Sequence, residues 1–263
     1  MSVKPYYKTD SCALYHCDNL ELMKQLPDDY IDLIYCDILY NTGKKFKDYN
    51  DNLGTVQDSI IWYEPRLQEM FRLLKDTGSI YLQMDYRIVH YMKVKMDEIF
   101  GIKNFKNHII WPYTGGGSSH RYFARKHDDI LFYTKTDKYI YNEIKEKRIV
   151  DKTNGYNPYT KQYTDEKGRI YVLVNPLDVW NDVMYIGHNN KQRKAINYDN
   201  QKPVKLSEKI IIASSNKDSI FADFFMGSGS SGDSALNNGR KFIGCDISEK
   251  ACRITQERLQ KYA

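Results

Sequence analysis

An α/β fold, a sheet with helices on both faces, is predicted by three features of the sequence. Residues 31–36, Ile-Asp-Leu-Ile-Tyr-Cys, put apolar groups on both sides of the chain, as a strand covered on both faces does. Strand-like runs alternate with stretches of helical period, first upstream of residue 134 and again beyond residue 202. A literal GxGxxG, formed by Gly227, Gly229 and Gly232, stands between a strand-like run and a helix-like one.

The elements follow in order. Residues 20–26 read as a short helix ended by Pro27. After the strand at 31–36 comes a polar, glycine-containing loop over 41–54. Ile60, Leu67, Met70, Phe71 and Leu74 recur at helical spacing. Pro65 either kinks that helix or starts its main part, and Gly78 is its stop signal. Residues 79–84 are a second strand, 87–100 a second helix, and 107–111 and 129–133 further strands. Composition then shifts. Residues 139–200 are polar and tyrosine-rich, with turn signals at Gly155, Pro158, Gly168, Pro176 and Gly187. They read as an insertion of short strands and loops. The α/β pattern resumes at Lys202, where Pro203 suits the first turn of a helix reaching about residue 215. A strand at 219–225, a helix at 230–238 ended by Gly239, and a strand at 241–246 follow. Ser248 then caps a last helix to residue 262. The chain divides into 1–138, the insertion 139–200, and 201–263.

Composition bounds the function. The chain has 263 residues, enough for a sizeable core, and 14% aromatics argue against disorder. A net charge of +5 permits a nucleic-acid partner without demanding one. The first ten residues lack the apolar stretch of a signal peptide, and no uncharged apolar run approaches the roughly 18 residues that span a membrane. Cys12, Cys17, Cys36, Cys245 and Cys252 are odd in number, with no CxxC pair. Reduced thiols in a cytoplasmic protein without a membrane partner are expected. His108, His120, His127 and His188 show no metal-ligand spacing, so no metal is expected.

The glycine loop carries the first chemistry. Glycines let backbone approach a ligand, and the helix that follows offers free N–H groups. Asp246 closes the next strand, where a carboxylate can hold two ribose hydroxyls. An adenosine-containing cofactor is expected. The motif alone leaves NAD and S-adenosylmethionine open. Only 31 residues follow Gly232, room for one strand and one helix, and a dinucleotide needs two mononucleotide-binding halves. S-adenosylmethionine needs one. Asp223 can bond the loop amides or a charged amino group of the cofactor.

Asp37-Ile38-Leu39-Tyr40-Asn41 follows the strand at 31–36, at the end that lines the ligand crevice in open α/β sheets. An acid beside an aromatic there can grip a flat base, the ring stacking and the carboxylate accepting from an amine. A strand-end Asp with a packing Tyr is the structural alternative. Cys36, inside the strand, reads as core packing.

These segments together resemble the beta group of exocyclic-amino DNA methyltransferases. The carboxyl half carries Gln201-Lys202-Pro203, Leu206, Ile210, then Asp223-Phe224-Phe225-Met226-Gly227-Ser228-Gly229-Ser230, then Gly239-Arg240-Lys241-Phe242-Ile243-Gly244. Upstream, in the group's order, stand Cys17-Asp18-Asn19, Leu26-Pro27, Ile31 to Ile34, and Asp37 with Tyr40-Asn41-Thr42-Gly43. Trp111 with Gly115-Gly116-Gly117, and His127-Asp128-Asp129-Ile130-Leu131 with Tyr133, look like it too. The resemblance covers nearly the whole chain outside roughly 139–195.

The resemblance implies a Rossmann-like methyltransferase sheet with a small polar target-recognition insertion. It implies S-adenosylmethionine held by Asp223, Phe224, Gly227, Ser228 and Gly229, with Asp246 on the ribose and Asp18 near the adenine. Lys202 and Ser207 would border its methionine end, next to Asp37. Asp37, Ile38 and Tyr40 would form the catalytic pocket for a flipped base. A cognate restriction endonuclease and a homodimer belong to the same expectation. Apart from the resemblance, the basic residues Arg121, Arg125, Lys126, Lys191, Arg193 and Lys194 could contact the phosphates of double-stranded DNA, with a solvated surface charge as the alternative for each.

The implied mechanism has a physical core. The exocyclic nitrogen of adenine is a poor nucleophile because its lone pair is delocalised into the ring. Accepting one hydrogen on Asp37 and one on the Ile38 carbonyl favours a pyramidal nitrogen, and placement supplies much of the rate. Aspartate in place of serine at the first position leans towards adenine N6 over cytosine N4. One departure stands out. The family has two prolines where this chain has Ile38 and Leu39. Their loss frees φ and adds two N–H groups that need partners, which also admits a catalytically silent DNA-binding relative.

Overall fold

Parallel pairing of short, branched-residue strands builds the centre of the protein. The computed structural model describes residues 2–45, 49–115, 119–150, 160–186, 198 and 201–263. The main sheet has eight strands: β1 (Tyr7–Lys8), β2 (Cys12–His16), β3 (Ile31–Asp37), β6 (Leu74–Met84), β7 (Phe105–Pro112), β8 (His127–Thr134), β12 (Ile220–Asp223) and β13 (Lys241–Asp246). Their order is β1-β2-β13-β12-β3-β6-β8-β7. The five strands from β2 to β6 run parallel, and β1, β8 and β7 pair antiparallel at the flanks.

Strand β3 shows why the sheet is covered on both sides. Ile34 and Cys36 pack into one apolar core with Met70 of α2 (Val56–Leu73) and Met92 of α3 (Val89–Phe100). Leu22 of α1 (Asn19–Met23) joins the same core. Leu33 and Tyr35 face the other way, among Leu206 of α4 (Val204–Ser214), Ala235 of α5 (Ser230–Asn237) and Leu259 of α6 (Glu249–Leu259). Alternation along one strand thus feeds two cores, which is the α/β expectation.

One local reading needs amendment, the stop at Gly78, and one hairpin is added. Helix α2 starts at a capping box, with Asp58 N–H donating to Thr55 Oγ1 at 3.1 Å and Thr55 N–H to Asp58 Oδ2 at 2.8 Å. Pro65 lies in its middle without ending it. Gly78 does not stop this helix. The chain passes at Leu74 straight into β6, and Gly78 sits inside that strand, beside an irregularity in the β3 pairing. A Cβ there would stand 2.9 Å from the Lys75 carbonyl oxygen and 3.2 Å from that of Asp32, so close backbone approach explains the glycine. The β1–β2 hairpin lies in a segment the sequence left unassigned. It extends the sheet beyond β13, through Cys12 and Leu14, which face inward.

The 41–54 loop contains a two-stranded hairpin, β4 (Lys44–Lys45) with β5 (Asn50–Asp51). Within 139–200 the described residues form an antiparallel sheet of β9 (Glu146–Ile149), β10 (Gln162–Thr164) and β11 (Ile170–Val174). The same stretch closes on the edge strand, where Ile110 N–H donates to the Asp178 carbonyl at 2.8 Å and Trp180 N–H to that of Ile110 at 2.8 Å.

Candidate active site

Parallel strands bring their carboxyl ends to one edge, and each end here carries an acid. β3 ends in Asp37, β12 in Asp223 and β13 in Asp246, and Asp18 follows β2. β8 runs the other way, so its start brings Asp128 to the same edge, with Asp129 paired to Met84. A single cavity of about 490 Å³ opens there. That lies within the range of small-molecule sites, about 300–1,000 Å³.

One half of the cavity is the glycine loop. Asp246 Oδ2 accepts from Gly227 N–H at 2.9 Å, and its Oδ1 from Ser248 N–H at 2.8 Å. Asp223 Oδ1 accepts from Phe225 N–H at 3.0 Å, and its Oδ2 from the Ser231 hydroxyl at 2.5 Å. Gly227, Ser228 and Phe224 line the wall with both acids. Gly229 stands behind them as the left-handed residue before α5, with φ +70°.

The other half is a charged cluster around Asp37. The Tyr40 hydroxyl oxygen lies 2.6 Å from Asp37 Oδ1 and 2.8 Å from Asp128 Oδ2, and its one hydrogen serves one carboxylate at a time. Lys202 Nζ is 3.1 Å from Asp37 Oδ2, 3.3 Å from Asp128 Oδ2 and 3.0 Å from the Tyr40 oxygen. Gln83 Nε2 donates to Asp128 Oδ2 at 2.7 Å and takes the Tyr35 hydroxyl on its oxygen at 2.6 Å. Burial raises the Asp37 carboxyl above its ordinary value, and Lys202 opposes that. Burial alone would lower the Lys202 ammonium, but Asp37 and Asp128 raise it instead. Burial, then Asp128 and Asp37, hold the Tyr40 phenol protonated. One ammonium thus faces two carboxylates.

The backbone after Asp37 accounts for one of the two N–H groups that the missing prolines add. Ile38 N–H donates to the Gln83 carbonyl at 3.1 Å, continuing the β3–β6 ladder past the strand end. The Leu39 carbonyl accepts from the Tyr63 hydroxyl at 2.8 Å. No described residue donates to the Ile38 carbonyl, which leaves it open as an acceptor. Asn41 follows at φ +53°, held by the buried Asp51, whose Oδ1 accepts from Asn41 N–H at 2.9 Å.

Of the residues singled out in the sequence, Asp18, Asp37, Ile38, Tyr40, Lys202, Asp223, Phe224, Gly227, Ser228 and Asp246 line the one cavity. Ser207 does not. It is buried in α4, with its hydroxyl turned back onto the Val204 carbonyl at 3.0 Å. Gly229 shapes the loop from behind without lining it. Arg121, Arg125 and Lys126 lie in the stretch before β8. Arg125 stacks 4.2 Å over the Tyr86 ring and 4.7 Å over that of Tyr122. Lys126 N–H₃ reaches the Thr114 carbonyl at 3.1 Å. Lys191, Arg193 and Lys194 lie outside the described residues. Asp128, Gln83, Tyr113 and Trp62 border the site without having been assigned to it. Only Asp128 had a visible signal, its place in the His127-Asp128-Asp129 run. Among the described residues no group of acids, histidines and cysteines has metal-holding geometry, and no helix is long and apolar enough to cross a membrane.

The acids set a pH dependence. Burial raises Asp223 to about 7 and raises Asp37 and Asp246 as well. The folded protein therefore keeps protons that the unfolded chain releases above about pH 4. Their contribution to stability is whole below that pH and is lost as pH rises through the folded values. The ligand-free protein is expected to melt at a lower temperature near pH 8 than near pH 5, and Asp223→Asn to reduce the difference. Calorimetry across that range checks it; a melting point rising with pH would contradict the assignment.

Residues 31–257 match the sequence profile of a family described as DNA methylase. A type II methyltransferase of Haemophilus parainfluenzae, M.HpaI, is 32% identical over 247 residues, spanning 92% of this chain and 73% of that one. The DNA adenine methyltransferase YhdJ of Escherichia coli (strain K12) is 28% identical over 96% of this chain and 84% of its own. Among solved structures, the PvuII DNA methyltransferase, titled cytosine-N4-specific, superposes with a TM-score of 0.69 at 18% identity, covering 97% of this chain and 89% of that one. An S-adenosylmethionine complex of M1.HpyAVI does so at 0.63 and 20%, covering 94% and 98%.

Proposed function

From the premise that the chain belongs to the N6/N4 DNA methylase family and uses S-adenosylmethionine, we propose that it methylates the exocyclic N6 of adenine in a specific duplex DNA sequence. A cognate restriction endonuclease fits the same reading. The carrying observation is that Asp37 and Tyr40 open into the same cavity as the glycine loop. The relative named as an adenine methyltransferase supports the choice of base.

The donor site fits its ligand by its chemistry. Loop amides, the buried Asp223, the half-buried Asp246 and an apolar wall suit an adenosine joined to a cationic amino acid. When bound, S-adenosylmethionine supplies a methyl group on a positively charged sulfur. The chain's own residues do the rest. Asp37 and the open Ile38 carbonyl accept the two hydrogens of the target amine, localising its lone pair. Asp37, already raised by burial, is suited to keep the proton that the amine releases. The Tyr40 ring offers a stacking surface worth about 1–3 kcal/mol. That offsets much of the few kcal/mol spent in unstacking the base. Lys202 and the bonds to Asp128 fix the Tyr40 hydroxyl, and with it the ring. Cytosine N4 is the second reading, favoured by the PvuII neighbour. The 139–200 insertion and the Arg121, Arg125 and Lys126 stretch are assigned to DNA contact.

Incubation with labelled S-adenosylmethionine and mixed-sequence duplex DNA, then nucleoside mass spectrometry, tests the reading. N6-methyladenine is expected. N4-methylcytosine would establish the second reading, and no label in DNA despite donor binding would make the chain a silent relative.

The missing prolines give a separate test. The Ile38 N–H bond to Gln83 restrains the same backbone that proline would. Ile38→Pro exchanges one restraint for the other. Transfer is expected to stay within a few-fold, with a cost of about 0.5–1.5 kcal/mol for the lost bond. On a chain of this size that is a drop of a few degrees in melting temperature. A collapse of the rate with the fold intact would show that proline cannot replace the ladder bond.

A further inference from the structure

The sheet order lays the cavity out as a line. Along its edge stand Asp18 after β2, Asp246 on β13, the glycine loop after β12 and Asp37 on β3. An acid in the place of Asp246 holds a ribose. The base of that nucleoside then lies beyond it on the side away from Asp37, against Asp18 and the α1–α2 wall. Trp62 of α2 lines this end of the cavity with Asp18 and Asn19.

One buried cation organises that wall. Arg66, only 5% exposed, donates from Nη2 to Asp18 Oδ2 at 2.7 Å, from Nε to Asn19 Oδ1 at 2.8 Å and from Nη1 to the Trp62 carbonyl at 2.9 Å. Its guanidinium carbon lies 3.4 Å from the centre of the Trp62 ring, a cation–π stack. Asn19 passes the restraint on, donating to the Phe224 carbonyl at 3.0 Å beside the glycine loop. The other oxygen of Asp18 caps α1 through Leu20 N–H at 2.8 Å. A planar fork in this geometry reads two adjacent side chains at once, which an ammonium cannot do.

We propose that Arg66 is a positioning residue for the adenosine end of the methyl-donor site, presetting the Asp18 carboxylate and the Trp62 ring that meet the base. This rests on the donor reading given above for Asp18. Arg66 touches no reacting atom, so it acts on donor affinity and not on the transfer step.

Calorimetry with S-adenosylmethionine and with adenosine, on the full chain, tests it. Arg66→Met is expected to weaken both ligands by a similar factor, roughly tenfold or more, while kcat at saturating donor and KM for DNA stay within about threefold. Arg66→Lys should recover part of the affinity. Combined with Asp18→Asn, the loss should fall short of the product of the single losses, since the two side chains act as one unit. An unchanged affinity, a loss for S-adenosylmethionine without one for adenosine, or a fully multiplicative double variant would overturn the assignment. If Arg66→Met does not fold, Arg66→Lys and Trp62→Leu carry the same readouts. Absence of methyl transfer by the unsubstituted chain would refute the proposed function and leave these binding results interpretable.

Discussion

Asp37→Ala is expected to lower methyl transfer by on the order of 10³-fold or more while leaving S-adenosylmethionine affinity within a few-fold. The separation follows from where Asp37 stands. Its oxygens face Tyr40 and Lys202, on the target side of the cavity, and the acids that hold the glycine loop are Asp223 and Asp246. Removing Asp37 also leaves Lys202 paired with Asp128, so the buried ammonium keeps a partner and the fold is retained. Asp37→Asn is the sharper version, because it keeps the shape and removes the charge. Filter binding of labelled donor beside an initial-rate assay reads both quantities. A donor affinity reduced by roughly tenfold or more, about 1.4 kcal/mol, would instead make Asp37 part of the donor site.

Gly229→Ala is expected to be among the most damaging single-methyl changes in the chain. The residue sits at φ +70°, where an L side chain costs about 1–2 kcal/mol. Its Cβ would stand 2.5 Å from Thr255 Cγ2 and 2.6 Å from Thr255 Oγ1. Thr255 is fully buried, and its hydroxyl donates to the Gly227 carbonyl at 3.1 Å, so it cannot yield without moving the loop. Overpacking of that kind adds about 1–3 kcal/mol. The expected result is a melting point lower by many degrees and a donor affinity reduced by roughly tenfold or more at temperatures where the protein stays folded. Thr255→Ser in the same chain removes the clashing methyl and should restore part of both losses. Equal melting points for Gly229→Ala and the unsubstituted chain would show that the loop has room the geometry denies.

Much of this arrangement was legible in the residues. A run such as Ile31 to Cys36 reads as a strand covered on both faces, and the glycine loop with Asp246 follows a rule of spacing. What stayed hidden was set by contacts distant in sequence. Gly78 looks like a helix stop because glycine ends helices, yet its reason is backbone on two sides, the Lys75 carbonyl close by and the Asp32 carbonyl 46 residues upstream. Ser207 looked available because the helix that turns its hydroxyl inward leaves no mark on a polar residue type. Arg66 carried no signal at all. It is one arginine on an amphipathic helix until α1 is folded against it. The β1–β2 hairpin, two and five residues long, is too short for any period to show.

The position of β12 has a consequence for how the protein comes into being. This strand is drawn from late in the chain but lies between β13 and β3, in the interior of the sheet. A polypeptide broken off before residue 220 therefore lacks its centre and not a margin, and Asp37 stands at the lip of an open wound. Loss of the stretch from residue 220 onward removes β12 and β13, two of the five parallel strands, and with them Asp223 and Asp246.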